Sequence, residues 1–277
     1  MSDAPAPRRS HGRLAITASA RPRDLLEEPR LVKGAWTARV ITLFPEAFPG
    51  PLGLSLTGKA LDCGLWRLDT IDLRRFGIGR HRNVDDTPAG GGAGMVLRAD
   101  VVDAALAAAD SGLPRDRWPV IYLSPRGRPL SQATARRLSQ GDGITLLCGR
   151  FEGVDQRVLD HHAVEEISLG DFVLTGGEIA AIALLDATVR LIPRVLGNQV
   201  STEEESFSEG LLEFPHYTRP TDWQGRAIPD VLQSGHHAMI ATWRKAMAER
   251  LTKERRPDLW RAYREAHGGD PDEDQEH

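Results

Sequence analysis

Cysteine is scarce in this sequence: among 277 residues only Cys63 and Cys148 occur, far apart. That count excludes a disulfide framework and their separation argues against a zinc site, so a reducing cytoplasm is the expected compartment. No apolar run approaches the ~18 residues of a membrane-spanning helix, and no membrane partner is expected. An excess of positive charge is also missing. Lys and Arg number 35 against 39 Asp and Glu, for a formal net charge of -4, so any RNA contact must use a local patch. Neither GxGxxG nor GxxxxGK[ST] occurs, so neither a dinucleotide fold nor a P-loop is indicated. CxxC and HExxH are missing too. The pairs His161-His162 and His236-His237 are therefore read as solvated, because adjacent residues on a helix diverge.

What is present is an ordinary globular composition, 40% hydrophobic and 27% charged, over a length that fits one large domain or a medium domain with a small one. Residues 1–37, rich in Ala, Pro and Arg without a sustained period, are read as a disordered extension. The acidic tail, 263–277, is read the same way. Between them Val40–Phe44 and Leu68–Leu73 read as strands. Val120–Leu123 and Ile144–Cys148 are continuous apolar runs, as strands of a parallel sheet buried on both faces require. From Ser131 to Ser139 the pattern predicts a helix with Ser131 as N-cap, completing a βαβ unit. Glu178–Ile192 is apolar nearly all round, which demands burial in the core or against a second subunit, and it must end before Pro193. Residues 197–208 turn polar and acidic, as an interdomain linker does. Beyond it Ile240, Trp243, Met247 and Leu251 form one apolar stripe. Arg244, Lys245, Arg250, Lys253, Arg255 and Arg256 lie mostly off that stripe, as a solvated helix face or a surface for RNA phosphates.

Three glycine-bearing loops are expected at strand ends: Leu123–Gly127, Cys148–Gly153 and Leu169–Gly177. Glycine admits close approach of a ligand, and α/β folds bind ligands at the carboxyl ends of parallel strands. A fourth segment, Val84–Met95, carries four glycines in five positions. It is better explained as a lid or substrate loop than as core filling.

Val84–Met95, the runs CGRFEG and LGDFVLTGGE, and Glu209–Pro220 closely resemble signature segments of the bacterial tRNA (guanine-37-N1) methyltransferases, the TrmD family of SPOUT knotted methyltransferases. So do Phe44–Glu46, Leu123–Pro125 and Val195–Asn198. The segments fall in family order and cover roughly Arg39 to Asp258.

That resemblance implies an α/β fold in which residues 38–196 form a parallel sheet with a deep trefoil knot, followed by a small helical tRNA-binding domain at 209–262. It implies a homodimer with shared active sites. S-adenosylmethionine would be held by Gly149 and by Leu169, Gly170, Asp171, Phe172, Val173 and Leu174, with Ser124, Pro125, Phe151, Gly153, Gly176 and Gly177 nearby. The reaction implied is methyl transfer to N1 of guanosine 37 of tRNA. N1 carries a proton, so a carboxylate must remove it, and a fixed cation can stabilise the charge that develops at O6. By resemblance the base is Glu205 and the cation Arg190, whose other reading is a helix-terminal arginine complementing the dipole. Glu152 matches the family's glutamate near the donor, and Mg2+ is implied without an assigned site. His81, Arg82, Asp85 and Gly94 match the substrate loop, and His216, Tyr217 and Arg219 fall in a substrate-facing segment. Glu205 stands where the family usually has Asp, and Ala93 where it usually has Pro. Two other readings remain: a knotted methyltransferase acting on another RNA or base, and a non-catalytic RNA-binding protein on the same scaffold.

Overall fold

The computed structural model describes residues 34–196, 206–207 and 210–268. The near-continuous apolar stretch around Val40 forms β1 (Trp36–Thr42), buried at every position but Arg39. Single 3-10 turns at Pro45–Ala47 and Gly50–Gly53 lead to α1 (Ser55–Asp62) and β2 (Trp66–Asp72). Two short strands, β3 (Asp85–Asp86) and β4 (Val96–Leu97), pair antiparallel and close the base of the glycine-rich loop. Then come α2 (Ala99–Ala108), β5 (Val120–Pro129), α3 (Gln132–Ser139), β6 (Gly143–Leu147), α4 (Gln156–His161), β7 (Glu165–Ser168) and α5 (Gly177–Val189).

The main sheet runs β2-β1-β6-β5-β7, and each neighbouring pair is parallel. Alternate residues feed opposite layers. Ala38, Val40, Ile121, Ile144 and Leu146 point toward α1, α3 and α5. Ile41, Val120, Tyr122 and Leu147 point toward α2 and α4. Both faces are therefore dry, which explains why these strands read as apolar runs rather than as alternation. Each fully buried Ile or Leu contributes roughly 1.5–3 kcal/mol of transfer free energy.

Local signals hold where a side chain reports on its own backbone. Ser131 caps α3, its Oγ accepting from Thr134 N–H at 3.1 Å. Helix α5 ends at Val189, short of Pro193. Most strand ends differ from expectation by a few residues, and three differences bear on the core or the site. β1 starts at Trp36, which is only 4% exposed and donates its Nε1–H to Leu138 O at 3.0 Å, so the core begins before residue 38. At the other end α8 (Pro257–Ala266) runs past 262, and Tyr263 is buried. Finally, Ser124–Gly127 is an excursion within β5 rather than a loop. Leu123 and Arg128 both register with Ile167, and the residues between them bow outward.

The C-terminal residues form the hairpin β8 (Asp222–Trp223) and β9 (Arg226–Ala227), then α6 (Asp230–Gln233), α7 (His237–Arg255) and α8. Leu211, Ala248 and Tyr263 make a small core with Trp260 against it. Leu212 N–H donates to Thr252 Oγ1 at 2.8 Å and secures the incoming chain on α7. The stripe Ile240, Trp243, Met247 and Leu251 is half-buried, and the buried positions are its neighbours Ala248 and Thr252. Most of the linker 197–208, Glu205 included, lies outside the described residues.

Candidate active site

The bow of β5 and the carboxyl ends of β6 and β7 open on one cavity of about 430 Å³. Parallel strands leave backbone N–H and C=O groups unpaired there, which is why such edges hold ligands. The bowed segment of β5 supplies Ser124, Pro125 and Arg126 to one wall. Gly127 is required at the neck of the bow, because a Cβ there would lie 2.4 Å from Ile167 N. After β6 come Gly149, Arg150, Phe151, Glu152 and Gly153. After β7 come Leu169, Gly170, Phe172, Val173, Leu174, Gly176 and Gly177. Of the expected donor-binding residues, Asp171 alone is not in the lining; it is exposed.

Tyr122, Arg126, Arg150 and Thr175 also line the cavity and were not singled out from sequence. Tyr122 explains two of the glycines. A Cβ on Gly149 would meet its ring at 2.6 Å, and one on Gly153 would approach its hydroxyl at 3.2 Å. Burial raises the phenol pKa and keeps this ring neutral. Phe151, between the two glycines, holds φ at 60°, a costly value for a bulky residue and one found where a site over-determines its loop.

The glycine-rich loop reaches the cavity through Glu152. Its N–H donates to Met95 O at 2.9 Å, and Leu97 N–H donates to Gly153 O at 2.9 Å, so the loop's exit is stitched to the segment after β6. Glu152 is exposed and is the single carboxylate among the described lining residues. Val96 of β4 lines the cavity as well. His81 and Arg82 sit on the exposed turn before β3, and Asp85 is in β3; none of the three is in the lining.

Other expected site residues are not brought to the cavity. Arg190 is the C-cap of α5, outside the lining. His216 pairs with Glu213 at 2.9 Å, Tyr217 lies edge-on to Trp243 with ring centroids 6.1 Å apart, and Arg219 is exposed before a cis proline. The histidines at 161 and 162 do not diverge as expected. His162 Nε2 lies 2.7 Å from Asp103 Oδ1 of α2, and ligand atoms of all three residues fall within 4.8 Å of one another.

Residues 37–262 match the family described as tRNA (Guanine-1)-methyltransferase TrmD. The chain belongs to that family. Curated members resemble it over most of their length. A Cereibacter sphaeroides protein named tRNA (guanine-N(1)-)-methyltransferase is 77% identical over 248 residues, 89% of this chain and all of the relative. Proteins of the same name from Ruegeria pomeroyi and Brucella ovis are 68% and 59% identical, covering 83% and 85% of this chain and 94% and 95% of their own. In this tRNA (guanine-1)-methyltransferase the cavity is thus built by segments inside the matched region. No helix among the described residues is long and apolar enough to cross a membrane.

Proposed function

We propose that this chain transfers the methyl group of S-adenosylmethionine to N1 of guanosine 37 of tRNA, with the cavity at the bow of β5 and the ends of β6 and β7 as the donor site. The observation that carries this reading is convergence. Three separate segments, each resembling the family's donor-binding motifs, line a single cavity of a size suited to a small-molecule ligand.

Close-packed glycines fit the donor, since they expose backbone groups where side chains would fill the space. When bound, S-adenosylmethionine supplies an electrophilic methyl on its sulfonium. The chain's own residues must do the rest. Glu205 removes the N1 proton. Arg190, a permanent cation, stabilises the negative charge that grows on O6. Glu152 suits a Mg2+ ion, a hard cation bound through one or two carboxylates and several waters.

Other features support a knotted homodimer. The chain entering α5 passes hard against the strand end it left earlier: Gly177 N–H donates to Gly149 O at 2.9 Å, and a Cβ at 177 would lie 2.7 Å from Cys148 Cα. Such a crossing admits only glycine and is what a threaded loop needs. Ile179 at the start of α5 is 63% exposed and Val173 84% exposed, an apolar surface suited to a second copy that could bring further residues to the cavity. The basic face of α7 is assigned to tRNA phosphates, and the cytoplasm is the expected compartment.

Incubating unmodified tRNA transcripts with the protein and S-adenosylmethionine, then mapping the methylated base by mass spectrometry, tests the reading. A single 1-methylguanine at position 37 is expected. Methylation of another base, or none, would overturn it. For the cavity, Gly149→Leu should abolish donor binding in calorimetry while the circular dichroism spectrum is kept.

A further inference from the structure

Glu178 is 4% exposed at the start of α5 and is not in the cavity lining, yet it links the end of β1 to two segments that line the cavity, those of Arg150 and Thr175. Its Oε1 accepts from Thr42 Oγ1–H at 2.7 Å at the end of β1. Its Oε2 lies 2.7 Å from an Arg150 terminal nitrogen in the segment after β6. Thr42 Oγ1 in turn accepts from Phe44 N–H at 2.9 Å, and the Arg150 guanidinium lies 4.4 Å from the centroid of the Phe44 ring. Arg150 also donates to Thr175 O at 3.3 Å in the segment before α5. Gly176 leaves room for this cation: a Cβ there would meet Arg150 Nε at 2.2 Å.

A buried carboxylate is expensive unless paired, and Glu178 is paired by a hydrogen bond from Thr42 on Oε1 and by the Arg150 charge on Oε2, which has no hydrogen-bond partner among the described residues. Its partner Arg150 is the residue immediately before the strained Phe151, whose φ of 60° must be enforced by something outside it. We infer that Glu178 is a positioning residue for methyl-donor binding. It acts through Arg150 to hold the segments 149–153 and 175–177 in register, touching neither donor nor tRNA itself. This rests on the assignment of the cavity to the donor.

The test is calorimetric titration of S-adenosylmethionine into wild type, Glu178→Gln and Thr42→Val, with steady-state kinetics on tRNA transcripts. Glu178→Gln keeps the volume but removes the charge that holds Arg150. Thr42→Val removes one hydroxyl that lies outside the cavity. We expect Glu178→Gln to raise the donor Kd and KM by roughly 10- to 100-fold, the scale of one lost charged contact. The change should be smaller for Thr42→Val and for Glu178→Asp. The KM for tRNA and kcat at saturating donor should stay within a few fold. A purely structural role would instead lower kcat and the folded fraction without moving the donor KM selectively, and that result overturns the inference. So does an unchanged donor Kd in folded Glu178→Gln. Should that variant not fold, an unchanged Kd in Thr42→Val overturns it equally. Failure of the wild-type protein to bind S-adenosylmethionine would instead overturn the cavity assignment itself.

Discussion

Gly94 stands directly against Glu152: a Cβ at position 94 would lie 2.4 Å from Glu152 Oε1 and 2.5 Å from its Cγ. The glycine-rich loop and the single carboxylate of the described cavity lining are thus in contact, and that contact depends on the absence of a side chain. Gly94 also holds φ at 88°, a region where an alanine is strained. Gly94→Ala should therefore displace Glu152 and lower single-turnover methyl transfer by about 10- to 100-fold, a loss of roughly 1.4–2.7 kcal/mol. Donor affinity by calorimetry should change little. Equal rates for variant and wild type would separate the loop from the chemistry.

Glu205 should behave as the general base. Glu205→Gln retains size and loses basicity, so single-turnover transfer should fall by about 10²–10⁴-fold with donor binding retained. Glu205→Asp should keep much of the activity. Gln at 203 and at 204 are the controls, because three consecutive side chains cannot all reach one proton. A fast 205 variant beside a crippled neighbour would reassign the base.

Salt dependence decides what the basic face of α7 does. Lys245, Arg250, Lys253 and Arg255 are exposed on that helix. Replacing them with Ala should weaken tRNA binding and reduce the slope of log K against log salt by about one per lost phosphate contact. Donor affinity should be unaltered. An unchanged slope assigns those residues to a solvated face. Arg256, beyond the end of the helix, is held by Asp258 at 2.6 Å, an ion pair that lowers the Asp258 pKa to about 2.

Trp36 is the first core residue among the described residues. A chain starting at Gly34 should melt with the full-length protein. One starting at Thr37, or a Trp36→Ala variant, loses a buried indole and its hydrogen bond to Leu138 O. Such losses cost about 3–5 kcal/mol, and scanning calorimetry should show the melting temperature lowered by at least about 5 °C. Equal melting temperatures for the two truncated chains would show that Trp36 is dispensable.

The two thiols should differ sharply. Cys63 is exposed, whereas burial pushes the Cys148 thiol well above its usual range, with the Glu178 charge adding to the shift. Because the thiolate is the reactive form, native protein at about pH 8 should titrate one thiol with a disulfide reagent and two after denaturation. The unfolded chain would ionise Cys148 at a lower pH than the folded one. Its contribution to stability is therefore fully present below about pH 9 and is lost progressively as pH rises from there through the higher value of the folded thiol.

What the sequence determined by itself was local or periodic. The apolar runs around Val40, Val120 and Ile144 specified strands buried on two faces. Ser131 specified a helix start, and Pro193 bounded α5. The resemblance named Gly149, Glu152 and the segment 169–177, and all but Asp171 of the expected donor set line one cavity. Tertiary structure decided the rest, because it depends on which distant backbones touch. The bow in β5 exists because Leu123 and Arg128 share Ile167 as a partner, a relation invisible in an apolar run followed by Ser-Pro. Trp36 and Tyr263 look like the edges of polar segments until their partners, Leu138 O for one and the face of α7 for the other, are in place. In sequence Glu178 is only the first residue of the apolar run Glu178–Ile192. Only folding brings Thr42 and Arg150 to its two oxygens, and desolvation then turns an ordinary surface charge into a fixed joint of the site.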